Sequence, residues 1–125
     1  MTECIPQDPD LENLLNKPGK IFLDIGAGVG RISLRACQIY QNLKVVALEP
    51  AKIPFNLARE NIEAACLTNR IDLRNIALEF LVETNFFDAV WFPHIFFSEE
   101  IFRTSLIKIL NSLKPQGILL TNALP

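Results

Sequence analysis

The sequence predicts an α/β fold, a parallel sheet covered by helices on both faces. Three observations lead there. Short strand-like runs recur along the chain, at 21–25, 44–48, 70–74, 88–92 and 117–121. The stretches between them carry apolar residues at helical spacing. Strands that alternate with helices imply right-handed crossovers, which lay the strands side by side and parallel.

The elements follow in order. Asp8–Leu15 reads as a short helix, with Asp8 as its cap, Pro9 in the first turn and Leu11, Leu14 and Leu15 on one side. Lys17-Pro18-Gly19-Lys20 ends it with turn residues. Ile21–Ile25 is a short apolar run, the first buried strand. From about Val29 to Tyr40, Ile32, Ala36, Ile39 and Tyr40 recur at helical spacing. Lys44–Leu48, KVVAL, is rich in β-branched residues and forms the second strand. Pro54 lies near the start of the next helix, where a missing amide donor does little harm. That helix runs to about Ala65, with Phe55, Ala58, Ile62 and Ala65 on one side. Arg70–Arg74 alternates charged and apolar residues and reads as an exposed strand near an edge. Leu78–Val82 reads as a helical turn and Asp88–Phe92 as the fourth strand. Asp72 and Asp88 read as solubility residues flanking strands. Ser98 caps a helix with Glu99 and Glu100 in its first turn and Phe102, Leu106, Ile109 and Leu113 on its buried face. Pro115 and Gly117 stop it, and Gly117–Thr121 is the fifth strand.

Bulk properties narrow the class. The 125 residues fit one domain, residues 1–125, with no repeat or linker. At 50% hydrophobic and 21% charged residues, the chain is no disordered segment. A formal net charge of -2 leaves no overall basic footprint, so nucleic-acid binding is not indicated. No apolar run approaches a membrane span, and MTECIPQDPD lacks the positive charge and apolar core of a signal peptide. A cytoplasmic location is expected. Cys4, Cys37 and Cys66 have no metal-ligand spacing, so no metal is expected. Cys37 and Cys66 read as small buried hydrophobes.

The functional signal lies in Phe22–Arg31, FLDIGAGVGR. Three of the five glycines stand here, at Gly26, Gly28 and Gly30, after a strand and before a helix. Gly26 and Gly28 suit a tight turn pressed against a ligand, and Gly30 suits close packing where the helix leaves the strand. The helix N-terminus offers unpaired amide donors. In parallel sheets ligands bind at this edge, beyond the carboxyl ends of the strands. The spacing is G-x-G-x-G, with Arg31 where a dinucleotide fingerprint has its third glycine. Glu49 ends the second strand about twenty residues further on, where a carboxylate can accept from both ribose hydroxyls of an adenosine.

These segments resemble the class I methyltransferases that use S-adenosylmethionine. FLDIGAGVG is similar to their first motif, VVALEP to their acidic second-strand end, FDAVWF to their fourth strand and LNSLKPQGILLT to the approach to the fifth. The resemblance spans about residues 18–122. It implies a Rossmann-like three-layer sheet ordered 3-2-1-4-5 that lacks the usual last two strands. It implies S-adenosylmethionine as cofactor, with Asp24 by the methionine ammonium through the loop and Gly26, Ala27 and Gly28 along methionine and ribose. Glu49 would hold the ribose, Pro50 would lie against the adenine, and Ala77 and Phe92 would complete the cofactor contacts. WFPHIFFSEEI is similar to a group of small-molecule methyltransferases, which implies a small-molecule acceptor.

The chain departs from that family in three places. An aspartate after the third strand is missing, its place taken by Ile76 or Ala77, which would weaken cofactor affinity about tenfold or more. Gln116 replaces a glycine of the usual turn. After GILLT no further strand follows, leaving an apolar edge that invites a homodimer through the fifth strand. For the chemistry, methyl transfer mainly needs alignment of nucleophile and methyl group. His94, the only histidine, follows the fourth strand on the side implied for the methyl group and is the candidate base. It also reads as a plain loop histidine. Trp91, Phe92, Phe96 and Phe97 likewise read more simply as core. The alternative function is a noncatalytic module that binds a nucleoside cofactor. A dinucleotide oxidoreductase is disfavoured by the glycine spacing and by the lack of a second domain.

Overall fold

The computed structural model describes residues 9–93 and 98–121. Asp8, Cys4, His94, Phe96, Phe97 and the tail from Asn122 lie outside the described residues. The order is α1 (Pro9–Leu15), β1 (Ile21–Ile25), α2 (Arg31–Ile39), β2 (Lys44–Leu48), α3 (Lys52–Ala64) and β3 (Ile71–Arg74). A 3-10 turn at Leu78–Phe80, β4 (Phe87–Phe92), α4 (Glu99–Ser112) and β5 (Leu113–Thr121) complete it. The five strands form one parallel sheet in the order β3-β2-β1-β4-β5. The chain order reverses between β1 and β4, so their carboxyl ends flank the crevice where such sheets take ligands.

Two layers of side chains sandwich the sheet. Leu11 and Leu15 of α1, Ala36 and Cys37 of α2 and Ile62 of α3 pack on Phe22, Val45 and Ala47. On the other face Ile109 of α4 and Leu81 pack on Leu23, Val46, Leu48 and Val90. The central strands are buried along nearly their whole length, whereas β3 and β5 each bury one residue, Ile71 and Leu113. Among the described residues β3 pairs only with β2, as an edge strand does, and its charged residues lie on the wetter face. Ser98 caps α4, its hydroxyl accepting from the Ile101 amide at 3.2 Å. α4 carries more exposed carbon than its pattern predicts, with Ile107 64% and Leu110 56% exposed.

Three expectations are corrected. β5 starts at Leu113, four residues before the predicted start at Gly117, so α4 runs straight into it. Opposite the two steps from Phe87 to Ala89, β5 advances five, from Leu113 to Ile118. The excess chain bulges out at 114–117. Pro115 is tolerated there because an unpaired edge asks no donor of it. A Cβ on Gly117 would lie 2.6 Å from Leu113 and 3.1 Å from the Phe87 carbonyl, so the bulge closes only around glycine. Cys66 is exposed and not buried, the left-handed residue (φ 60°) that ends α3, while Cys37 is buried.

The third correction concerns Asp88, which is a structural tie. It is 4% exposed and accepts the Ile21 amide at 2.9 Å. Lys114 lies at 3.2 Å and Lys20 at 3.6 Å, so one carboxylate joins the starts of β1, β4 and β5. Asp72 does stay at the surface, paired with Arg74 at 2.9 Å. Arg70 is a second tie, donating to the Cys37, Tyr40 and Leu43 carbonyls and so closing the C-terminal end of α2. Asp88→Ala strands one buried amide, while both lysines, 26% and 39% exposed, can turn to water. The expected loss is about 1–3 kcal/mol in urea unfolding. An unchanged midpoint would return Asp88 to the role of a solubility residue.

Candidate functional site

The loop between β1 and α2 is tied down from three sides. Ala27 donates to the Leu48 carbonyl at 2.9 Å, which hooks the loop over the end of β2. Gly28 donates to Glu49 Oε1 at 2.7 Å. Asn61, on α3, donates to the Val29 carbonyl at 3.0 Å. Gly28 has a φ of +58°, and a Cβ there would meet nothing within 4 Å. Its α-carbon therefore faces open space, the condition for a close ligand approach. Gly30 is different: a Cβ there would lie 3.6 Å from Ala58, so its close packing is against α3 and not against the strand. α2 starts at this glycine with no side-chain cap.

Glu49 is 7% exposed. Its second oxygen accepts the Ala51 amide at 2.9 Å, so the carboxylate bridges the glycine loop and the start of α3. A carboxylate has about four lone-pair positions. Two are used here, which leaves acceptor capacity for two hydroxyls. Asn75, just past β3, donates to the Glu49 and Pro50 carbonyls at 2.9 and 3.1 Å and fixes the turn that carries the acid.

Asp24 is 1% exposed at the end of β1. Its Oδ2 accepts the Ser33 hydroxyl at 2.7 Å, while Oδ1 is buried without a partner. Burial pushes the carboxyl up to about 6. The Ser33 hydrogen bonds pull the other way, and the Glu49 charge adds to the rise. A buried, half-satisfied acid beside a glycine loop fits a cationic group such as an ammonium, which would favour its charged form.

Beside the loop lies an apolar cavity of about 100 Å³, lined by Ile25, Gly26, Leu48, Pro50, Ile76, Ala77, Leu78 and Ser105. It is far below the roughly 300 Å³ of a whole-ligand pocket and suits one flat ring system. A larger groove of about 440 Å³ runs over β2 and β3 past Lys44, Arg70 and Arg74. It is the weaker candidate, because Arg70 is spent on carbonyls and Arg74 is paired with Asp72 and Glu83.

The structure thus brings Asp24, Gly26, Ala27, Gly28, Glu49, Pro50 and Ala77 to one end of the sheet. Phe92 does not line that cavity. It is fully buried, stacked on Phe102 with ring centres 5.7 Å apart, because the apolar end of β4 is where α4 docks. This is the core placement that its apolar strand also predicts. Pro93 comes near the loop, 4.0 Å from a Cβ placed on Gly26. Sequence reasoning missed Ser33, Asn61, Asn75 and Ser105. Only Ser33 left a signal, as a polar residue on the inward side of α2. Among the described residues no cluster of metal-ligating side chains occurs, and no helix is long and apolar enough to cross a membrane.

Fold and loop together define a Rossmann-like domain with its ligand edge at the glycine turn. Residues 22–117 match the family model described as a methyltransferase domain, and the chain belongs to that family. The resemblance to class I S-adenosylmethionine-dependent methyltransferases therefore holds. No curated protein matches the chain by sequence. Among solved structures it is similar to a proposed S-adenosyl-L-methionine-dependent methyltransferase of Methanococcus maripaludis, with a TM-score of 0.76 and 24% identity. The match covers 90% of this chain and 52% of that one. It is also similar to the [4+2]-cyclase SpnF, with a TM-score of 0.75, 25% identity and coverage of 90% and 43%. A third is coclaurine N-methyltransferase bound to N-methylheliamine and SAH, with a TM-score of 0.73, 23% identity and coverage of 90% and 33%. The chain spans about half or less of the length of these structures.

Asp24 gives the site a pH signature. Its folded-state value, about 6, lies above the ordinary 3.8, so the fold favours the protonated acid. This contribution is most favourable below about pH 4 and is lost as pH rises through 6, a change on the order of 3 kcal/mol. Asp24→Asn should be more stable than the parent at pH 7.5, and the difference should shrink towards pH 4.5. Urea unfolding of both proteins at the two pH values checks this; a difference independent of pH would contradict it.

Proposed function

We propose that this chain binds S-adenosylmethionine across the carboxyl ends of β1 and β2 and serves methyl transfer to a small-molecule acceptor. The observation that carries the reading is Glu49, a buried carboxylate held by Gly28 and Ala51 with acceptor capacity left over beside an apolar cavity. In this reading Glu49 takes both ribose hydroxyls. The backbone of Gly26, Ala27 and Gly28 runs along methionine and ribose, and Asp24 sits near the ammonium. Pro50 and Ala77 border the adenine. Bound S-adenosylmethionine supplies a methyl group on a sulfonium, a good leaving group. The protein's part is then alignment and exclusion of water. His94 remains the candidate base, from its place in the sequence after the fourth strand. A small acceptor is supported by the similar N-methyltransferase, whose structure holds N-methylheliamine.

Titration calorimetry with S-adenosylmethionine and its demethylated product tests the first step. The parent should bind both and ignore NAD. Glu49→Ala should weaken binding by about 1.5–3 kcal/mol, roughly ten- to a hundredfold. Thermal melting of the variant separates that loss from loosening of the loop Glu49 ties. A folded Glu49→Ala protein with parental affinity would refute the assignment.

A second reading has its own support. Ile76 and Ala77 stand where the family commonly has an aspartate near the adenine, so this chain lacks a usual side-chain contact to the cofactor. On that reading the chain is a noncatalytic cofactor-binding module. Transfer of a labelled methyl group to a panel of small acceptors would favour the enzyme, and binding without transfer the module.

The assembly we propose is a homodimer through β5. Among the described residues this strand pairs with β4 on one side only, and Ile118, Leu119 and Leu120 are each partly exposed. Leu119 also packs on the face that carries α4, so lysine at that position would injure the core as well as the edge. Sedimentation over a concentration series is the cleaner test. A dimer is expected, and a monomer at every concentration would refute it.

A further inference from the structure

The cavity by Pro50 and Ala77 is walled by carbon except for one side chain, Ser105 of α4. Ser105 stands three residues after Phe102 and four before Ile109, on the inward side of the helix. Phe102 stacks on Phe92, and Ile109 is fully buried. A carbon side chain would be expected between them. The neighbouring hydroxyls of α4 are already used. Thr104 donates to the Glu100 and Ile101 carbonyls at 3.3 and 3.1 Å, and Ser112 donates to the Ile109 carbonyl at 2.7 Å. The Ser105 hydroxyl enters none of the side-chain hydrogen bonds among the described residues, and Ser105 is only half-buried. Ser105 borders this cavity and also the pocket with Glu79 and Lys108, and a hydroxyl at the border of an apolar cavity gains most from a partner that fills it.

We infer that Ser105 supplies the side-chain hydrogen bond to the edge of the bound base, and that it makes the site tolerant at the purine 6-position. The inference rests on the cofactor reading above. Ile76 and Ala77, after β3, carry no polar side-chain atom, so the cavity wall there offers the base no carboxylate. An acceptor-only carboxylate would favour a 6-amino group over a 6-oxo group. A hydroxyl rotates: it accepts from the amino group of adenine and donates to the carbonyl of hypoxanthine. The ligand class is therefore 6-amino and 6-oxo purine nucleosides carrying the homocysteine chain.

The test compares S-adenosylhomocysteine with S-inosylhomocysteine by calorimetry. The parent should bind the two within about threefold of each other. Ser105→Ala should weaken both by about three- to tenfold, the worth of one neutral hydrogen bond. Ser105→Thr, which keeps the hydroxyl, should restore both. Alanine is the better helix former, so the Ala variant is expected to fold. Parental affinity in Ser105→Ala would overturn the hydrogen bond. A parent that binds the adenosyl compound and rejects the inosyl one would overturn the tolerance. A parent that binds neither would overturn the cofactor reading and this inference with it.

Discussion

The carboxylate of Glu49 accepts one backbone amide from Gly28 and another from Ala51. Through those two bonds the end of β2 holds both the turn that leaves β1 and the helix that follows β2. The turn could not keep its shape from its own residues. Four glycines of the chain have positive φ, three of them here, and glycine-rich backbone loses much entropy when ordered. External ties from Glu49, Leu48 and Asn61 supply the order. The loop is thus organised before any ligand arrives, which lowers the ordering cost of binding.

The sheet makes this arrangement rigid where it matters. β1 is flanked by β2 and β4 and is covered by helices on both faces, so the strand that launches the loop is fixed by the core. Asp88 fastens the opposite ends of β1, β4 and β5. Irregular structure lies at the rims, at the short β3 and at the bulged β5. The candidate loop instead leaves the central strand, which suits a site that depends on placement.

Asp24 works against the stability of its surroundings. A buried carboxyl with one unpartnered oxygen is costly at neutral pH, and neither its serine nor the fold removes that cost. A destabilising group kept beside a glycine loop is the pattern of a site shaped for a ligand.

The sequence by itself determined the order of strands and helices, the position of the glycine loop and the acid at the end of β2. These are local signals: apolar periodicity, turn residues and caps act over a few neighbours, so they can be read without the fold. The order β3-β2-β1-β4-β5 was legible through family resemblance to the motifs, not through periodicity. Only the tertiary structure decided which polar residues are ties and which are surface. Asp88 and Asp72 look alike in sequence, yet one meets an amide 67 residues away and the other stays wet. Cys66 was settled in the same way, ending a helix at the surface. The same holds for Asn61, Asn75, Arg70 and Ser105. Hydrogen bonds from side chains to distant backbone, and the walls of a cavity, leave no periodic trace, because their partners come together only when the strands pair and the helices pack.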